Sequence, residues 1–119
     1  MAKSIVVLIT KPPYGGEDAF AGLRQAMAFM ASGALKRVGV VFIGEGVYNL
    51  ASGQKSASIS MPSNFDTLED LNELGAELYA SQPDVERHLA GLERAQGWKP
   101  VSDNELAILL EGFDLTTTF

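Results

Sequence analysis

The stretch Ile5-Val6-Val7-Leu8-Ile9, followed by Thr10-Lys11-Pro12-Pro13-Tyr14-Gly15-Gly16-Glu17, decides the fold. The first five residues are apolar without alternation and mostly β-branched. That pattern suits a strand covered on both faces, as in a parallel sheet. The two prolines remove backbone donors and fix φ, and the two glycines free it, so the strand stops there. From Glu17 the period changes to that of a helix, with Phe20, Leu23, Met27 and Met30 on one stripe. Glu17 and Asp18 stand in its first turn, where negative charge complements the helix dipole. Gly33 is the predicted stop.

Outward from this unit the alternation repeats. Val38-Gly39-Val40-Val41-Phe42-Ile43 reads as a second buried strand, Gly44-Glu45-Gly46 as a turn, and Val47–Ala51 as a short helix. Lys55–Phe65 has no period and reads as a long loop, a kind of segment that often carries function or contacts. Asp66 or Thr67 can cap the next helix, with Leu68, Leu71 and Leu74 as its stripe and Gly75 as its end. Glu77–Ala80 is a short third strand. Ser81 can cap a helix that admits Pro83 in its first turn and runs towards Ala95. Trp98–Val101 is extended, Ser102-Asp103-Asn104-Glu105 is a capping box, and Leu106, Leu109 and Leu110 are the expected buried face of the last helix. Leu115–Phe119 has strand propensity. This order predicts a three-layer α/β/α fold with a mostly parallel sheet of about five strands, joined by right-handed crossovers. The 119 residues fit one domain, 1–119.

Composition narrows the chemistry. There is no cysteine, which excludes a disulfide framework, a thiolate metal site, a cysteine nucleophile and a persulfide carried on this chain. The longest apolar runs fall far short of the roughly 20 residues that span a bilayer. The first residues lack the features of a signal peptide, so cytoplasm is the expected location. The net charge of -6 is uneven: residues 1–65 carry net +3 and residues 66–119 net -9. An acidic second half argues against direct nucleic-acid binding. It allows an oligomer in which a basic face meets an acidic one.

In an open parallel sheet, ligands bind beyond the carboxyl ends of the strands. Three loops leave those ends: Lys11–Gly16, Gly44–Gln54 and Ser81–Pro83. The first lacks both phosphate-loop spacings, and Glu17 and Asp18 stand where an anion would sit. The ligand- or interface-loop candidates are Tyr14, Gly15, Gly16 and Glu17 in the first loop, Glu45, Gly46, Tyr48 and Gln54 in the second, and Ser81 in the third. Arg24 is the counter-ion should it face them. His88, the single histidine, reads as a mid-helix surface or core residue well away from these loops. No metal site, cofactor or catalytic residue is expected, and the chain is not expected to be an enzyme.

Two stretches resemble a known family. Pro12-Pro13-Tyr14-Gly15-Gly16-Glu17-Asp18-Ala19-Phe20-Ala21-Gly22-Leu23-Arg24 resembles the opening of the DsrE/DsrF-like proteins. Val40-Val41-Phe42-Ile43-Gly44-Glu45-Gly46-Val47-Tyr48-Asn49-Leu50, with Gly53-Gln54 after it, resembles their second strand and following turn. The family includes the sulfur-relay proteins DsrE, DsrF and DsrH and their counterparts TusD, TusC and TusB. The resemblance implies an α/β/α domain assembling into homo- or hetero-oligomers, trimers or hexamers, with DsrE/DsrH-like subunits. Members with a reactive cysteine just after the third strand pass sulfur on as a persulfide, in sulfur oxidation or tRNA thiolation. Here that stretch is Tyr79-Ala80-Ser81-Gln82, and Ser81 cannot hold a persulfide. Of the family's types, the chain looks most like the DsrF/TusC kind, whose role the resemblance implies to be that of a partner beside a cysteine-bearing subunit. The alternative is a homo-oligomeric small-molecule-binding domain of unrelated role.

Overall fold

The computed structural model describes residues 3–13, 17–51 and 64–119, and of residues 64–66 the backbone alone. Among the described residues five strands form one sheet: β1 (Ser4–Ile9), β2 (Arg37–Phe42), β3 (Glu77–Ser81), β4 (Trp98–Val101) and β5 (Leu115–Thr118). Their order is β4-β3-β2-β1-β5, and every pairing is parallel. The predicted three-layer parallel architecture is therefore the observed one.

The period of two divides β1 cleanly. Ile5, Val7 and Ile9 point into the larger core with Val38, Val40 and Phe42 of β2, while Val6 and Leu8 point to the opposite face with Val41. All six residues of β1 are buried, as the unalternating sequence predicts. Three helices cover the first face: α1 (Asp18–Ser32), α2 (Asn64–Glu73) and α3 (Gln82–His88). Among the described residues the last helix, α4 (Asp103–Glu111), lies alone on the second face, packed through Leu106, Leu109 and Leu110. It carries the chain from the β4 edge of the sheet to the β5 edge.

Several local expectations change. The buried stripe of α1 is Ala19, Gly22, Leu23 and Ala26, with Phe20, Met27 and Met30 only half-buried. Small residues face the sheet because the helix rides close on it: a β-carbon at Gly22 would stand 2.5 Å from Ile9 Cδ1 and 3.0 Å from the Phe119 ring. The turn and short helix after β2 are one 3-10 segment, Gly44–Leu50. α2 starts at Asn64, ahead of the predicted caps, because Asn64 and Phe65 carry no backbone restriction against helix. The rest of the expected loop, 55–63, lies outside the described residues. α3 stops at His88 rather than continuing to Ala95. Gly91 turns the chain with φ of 77°. Arg94 and Ala95 are then drawn to the 3-10 segment, where Ala95 N–H donates to Leu50 O at 2.7 Å and Arg94 bridges Ala51. No residue of α4 is fully buried, since solvent reaches both flanks of a lone helix, and Ile108 is 71% exposed. The caps predicted at Ser81 and Ser102 form: Ser81 accepts from Asp84 N–H, and Ser102 and Glu105 make the reciprocal box.

Among the described residues, no helix is long and apolar enough to cross a membrane.

Candidate functional site

Parallel strands put all their carboxyl ends on one edge, so the loops after β1, β2 and β3 meet there. Asn49 ties the first to the second. Its side chain is fully buried, and Nδ2 donates to Lys11 O at 3.0 Å and to Gly46 O at 2.8 Å. A buried amide with both protons used holds two backbone segments in fixed register. Gly46 allows the approach, because a β-carbon there would collide with the Ile9 carbonyl. Asp84 ties the second loop to the third: Oδ2 accepts from Gly44 N–H at 2.7 Å, at the point where Gly44 takes φ of 55°. Ser81, only 4% exposed, caps α3 by accepting from Asp84 N–H at 3.4 Å.

Tyr48 and His88 complete this edge. Tyr48 Oη and His88 Nδ1 are 3.1 Å apart, and the rings lie 5.1 Å apart at 55°. His88 is thus joined to the strand-end loops through Tyr48, which corrects its expected isolation. The physical reason is the early end of α3, against which the 3-10 segment folds.

The sequence candidates separate. Gly46, Tyr48 and Ser81 come together at this edge, with Glu45 exposed beside them and Glu17 exposed at the start of α1. Tyr14, Gly15, Gly16 and Gln54 lie outside the described residues. Arg24 sits elsewhere, in a cleft of about 440 Å³ between α1 and α2 that Phe20, Met27 and Asp70 also line. Its guanidinium carbon lies 5.4 Å from the Phe20 ring centroid. Asn49, Asp84 and His88 escaped the sequence reading as members of the site. For Asp84 a signal existed, a carboxylate three residues after a capping serine.

A second polar cluster occupies the opposite sheet face near the amino ends of the strands. Arg37 grips Glu77 with Nε on Oε2 and Nη2 on Oε1, the latter at 2.8 Å. Tyr79 Oη donates to Glu77 Oε1 at 2.6 Å. The Arg37 hydrogen bond holds the Glu77 carboxyl below its ordinary range against the opposing effect of burial. Burial, then the Glu77 carboxylate, pushes the Tyr79 hydroxyl up. Glu77, Tyr79 and Lys99 border a shallow cavity of about 380 Å³.

The strand-end groups knit loops together, and their hydrogen bonds are structural. Ser81 Oγ accepts from a backbone amide, and among the described residues no hydrogen bond joins it to a base, so the edge reads as a rigid rim rather than an assembled nucleophile. These features define the class: a parallel α/β/α protein with an ordered rim at the carboxyl ends of its strands. The chain belongs to the DsrE/DsrF-like family, whose model matches residues 3–87. No curated protein matches the sequence. Among solved structures, the chain is similar to the YchN protein of E. coli, with 23% identity over all of both chains and a TM-score of 0.82. It is also similar to MTH1491 of Methanobacterium thermoautotrophicum, described as of unknown function, with 17% identity, 94% and 96% coverage and a TM-score of 0.65. BT1422 of Bacteroides thetaiotaomicron, likewise of unknown function, has 14% identity, 98% and 95% coverage and a TM-score of 0.68. At these identities the likeness concerns the fold.

Proposed function

We propose that this chain is a non-catalytic subunit or accessory protein of an intracellular sulfur relay, of the DsrF/TusC type, working in the cytoplasm beside a cysteine-bearing DsrE-like or DsrH-like subunit. The observation that carries the reading is Ser81. Family members that carry sulfur do so on a cysteine just after the third strand, and Ser81 ends that strand here, in a chain without cysteine. Oxygen forms no persulfide, so the chain's contribution is to shape or regulate a partner's site. Its hydroxyl is already committed to capping α3, which favours a structural role at this position.

Native mass spectrometry of the untagged protein purified from its own host tests this. A mixed trimer or hexamer containing a cysteine-bearing relative supports it and names the chain that does the chemistry. A particle without any such chain, together with no affinity for one when mixed, sinks it.

One observation favours the second reading, a small-molecule-binding domain: the cleft between α1 and α2 presents Arg24 and Asp70 beside apolar walls. A thermal shift with nucleotides, flavins or sulfur oxyanions that Arg24→Ala abolishes would support it.

A further inference from the structure

The two edges of the sheet are guarded differently. An edge strand offers unpaired N–H and C=O groups to any other strand, and proteins blunt such edges with lysine, proline or cover. β4 has two of these devices, Lys99 and Pro100. β5 has neither: Leu115-Thr116-Thr117-Thr118 is uncharged, largely exposed, and paired among the described residues only with β1.

The hydrogen bonds beside β5 fix which of its groups face outward. Phe119 N–H donates to Leu8 O, and Thr10 N–H donates to Phe119 O, both at 2.8 Å. With a period of two, Leu115 and Thr117 also bond inward to β1, and the N–H and C=O of Thr116 and Thr118 face away from the sheet. Two donors and two acceptors, two residues apart, form a pattern that is its own complement under a two-fold axis.

We propose that β5 pairs antiparallel with β5 of a second copy of this chain, about a two-fold axis at Thr117, to make a continuous ten-stranded sheet. In this register Thr116 of each copy exchanges both backbone bonds with Thr118 of the other, giving four hydrogen bonds and leaving no outward group of these residues unused. Directly opposite residues share a face, so Leu115 of each copy meets Phe119 of the other. Leu115 is 48% exposed, and Phe119 is half-buried against the α1 side. The interface is isologous and closes at two copies, as symmetric dimers do. An extended peptide of another protein would use the same backbone groups; the second copy adds an apolar residue opposite each end, Leu115 against Phe119. The inference rests on the edge and not on the relay reading, so failure to find a cysteine-bearing partner leaves it standing.

The test uses the full chain and two readouts. Native mass spectrometry or sedimentation of the wild type is expected to give a particle with an even number of copies. Thr116→Pro removes one outward N–H without touching the bonds to β1, and is expected to halve that mass while keeping the wild-type circular dichroism. Thr116→Lys, which places like charges near the axis, is expected to do the same. Hydrogen exchange on the wild type reads the edge without any substitution: the Thr116 and Thr118 amides are expected to be protected. A wild-type monomer, a folded variant of unchanged mass, or edge amides exchanging at solvent rates would each overturn the proposal. Protection in a particle holding one copy and a different protein would overturn it too.

Discussion

Phe113 brings the far end of its ring against Gly39, so that a β-carbon at Gly39 would stand 2.7 Å from the ring's Cζ. The Arg37 guanidinium carbon covers the same ring, 4.2 Å from its centroid. One glycine in the middle of β2 thus lets Phe113, two residues past the end of α4, seal the second face of the sheet. Gly39→Ala is expected to destabilise the protein by about 1–3 kcal/mol through overpacking. Phe113→Leu in the same chain should return part of that loss, a non-additivity that urea midpoints of the two single variants and the double variant will measure.

Glu77 makes the acid limb of stability sensitive to one residue. Its carboxyl is held below its ordinary 4.5 when folded, so its contribution is fully present above that value and is lost as pH falls through the lower folded value. Glu77→Gln is expected to lower the urea midpoint at neutral pH and to flatten its fall below about pH 4.5. Tyr79 acts at the other end. Its hydroxyl is pushed above its ordinary 10.0, so its contribution is present below pH 10 and is lost as pH rises through the higher folded value. Tyr79→Phe should therefore flatten the alkaline limb and leave the acid limb in place.

Asn49 gives a prediction about chemical identity at fixed size. Asn49→Ala leaves the Lys11 and Gly46 carbonyls without these donors, and an expected cost of about 1–3 kcal/mol follows. Asn49→Asp is expected to cost more at neutral pH, because a buried carboxylate would face two carbonyl oxygens. Acid should recover part of the loss, since the protonated carboxyl can donate again; its folded pKa is raised, so stability is present below it and lost above. Chemical denaturation of both variants at neutral and mildly acid pH checks the order and its narrowing.

Ser81 offers two substitutions with different readings. Ser81→Ala removes the cap of α3 at an expected cost of about 0.5–2 kcal/mol. Ser81→Cys would install the chain's only thiol at the end of β3. Because the position is 4% exposed, that thiol is expected to react with a bulky disulfide reagent far more slowly than free cysteine. Reaction at the free rate would mean that the position is open enough for sulfur transfer and that this chain differs from a carrier by one atom.

The strands were legible because burial on both faces leaves an unbroken apolar run, and Ile5–Ile9 and Val38–Ile43 carry that mark directly. Helix starts at Ser81 and Ser102 were legible because a cap is a local bond between near neighbours. What stayed hidden were relations between distant residues. Nothing local about Asn49 tells that its amide will meet Lys11, and nothing about Arg37 that it will hold Glu77, 40 positions away, under Phe113. The end of α3 at His88 was missed for the same reason, since the pull on Ala95 comes from Leu50. Leu106, Leu109 and Leu110 have the right spacing for a buried face, but how deeply a helix is buried depends on its neighbours, and among the described residues α4 has no other helix on its layer.

The placement of β5 beside β1 has a consequence for biosynthesis. The two strands are joined at Ser4 and Asp114, 110 positions apart, where Asp114 N–H donates to Ser4 Oγ. A ribosome adds about 5–20 residues per second, so β1 leaves it on the order of ten seconds before the strand that covers its outer edge. For that interval the most apolar segment of the chain has an open flank. The flank of β1 that β2 covers can close first, and the flank that β5 covers stays open until β5 itself has been made.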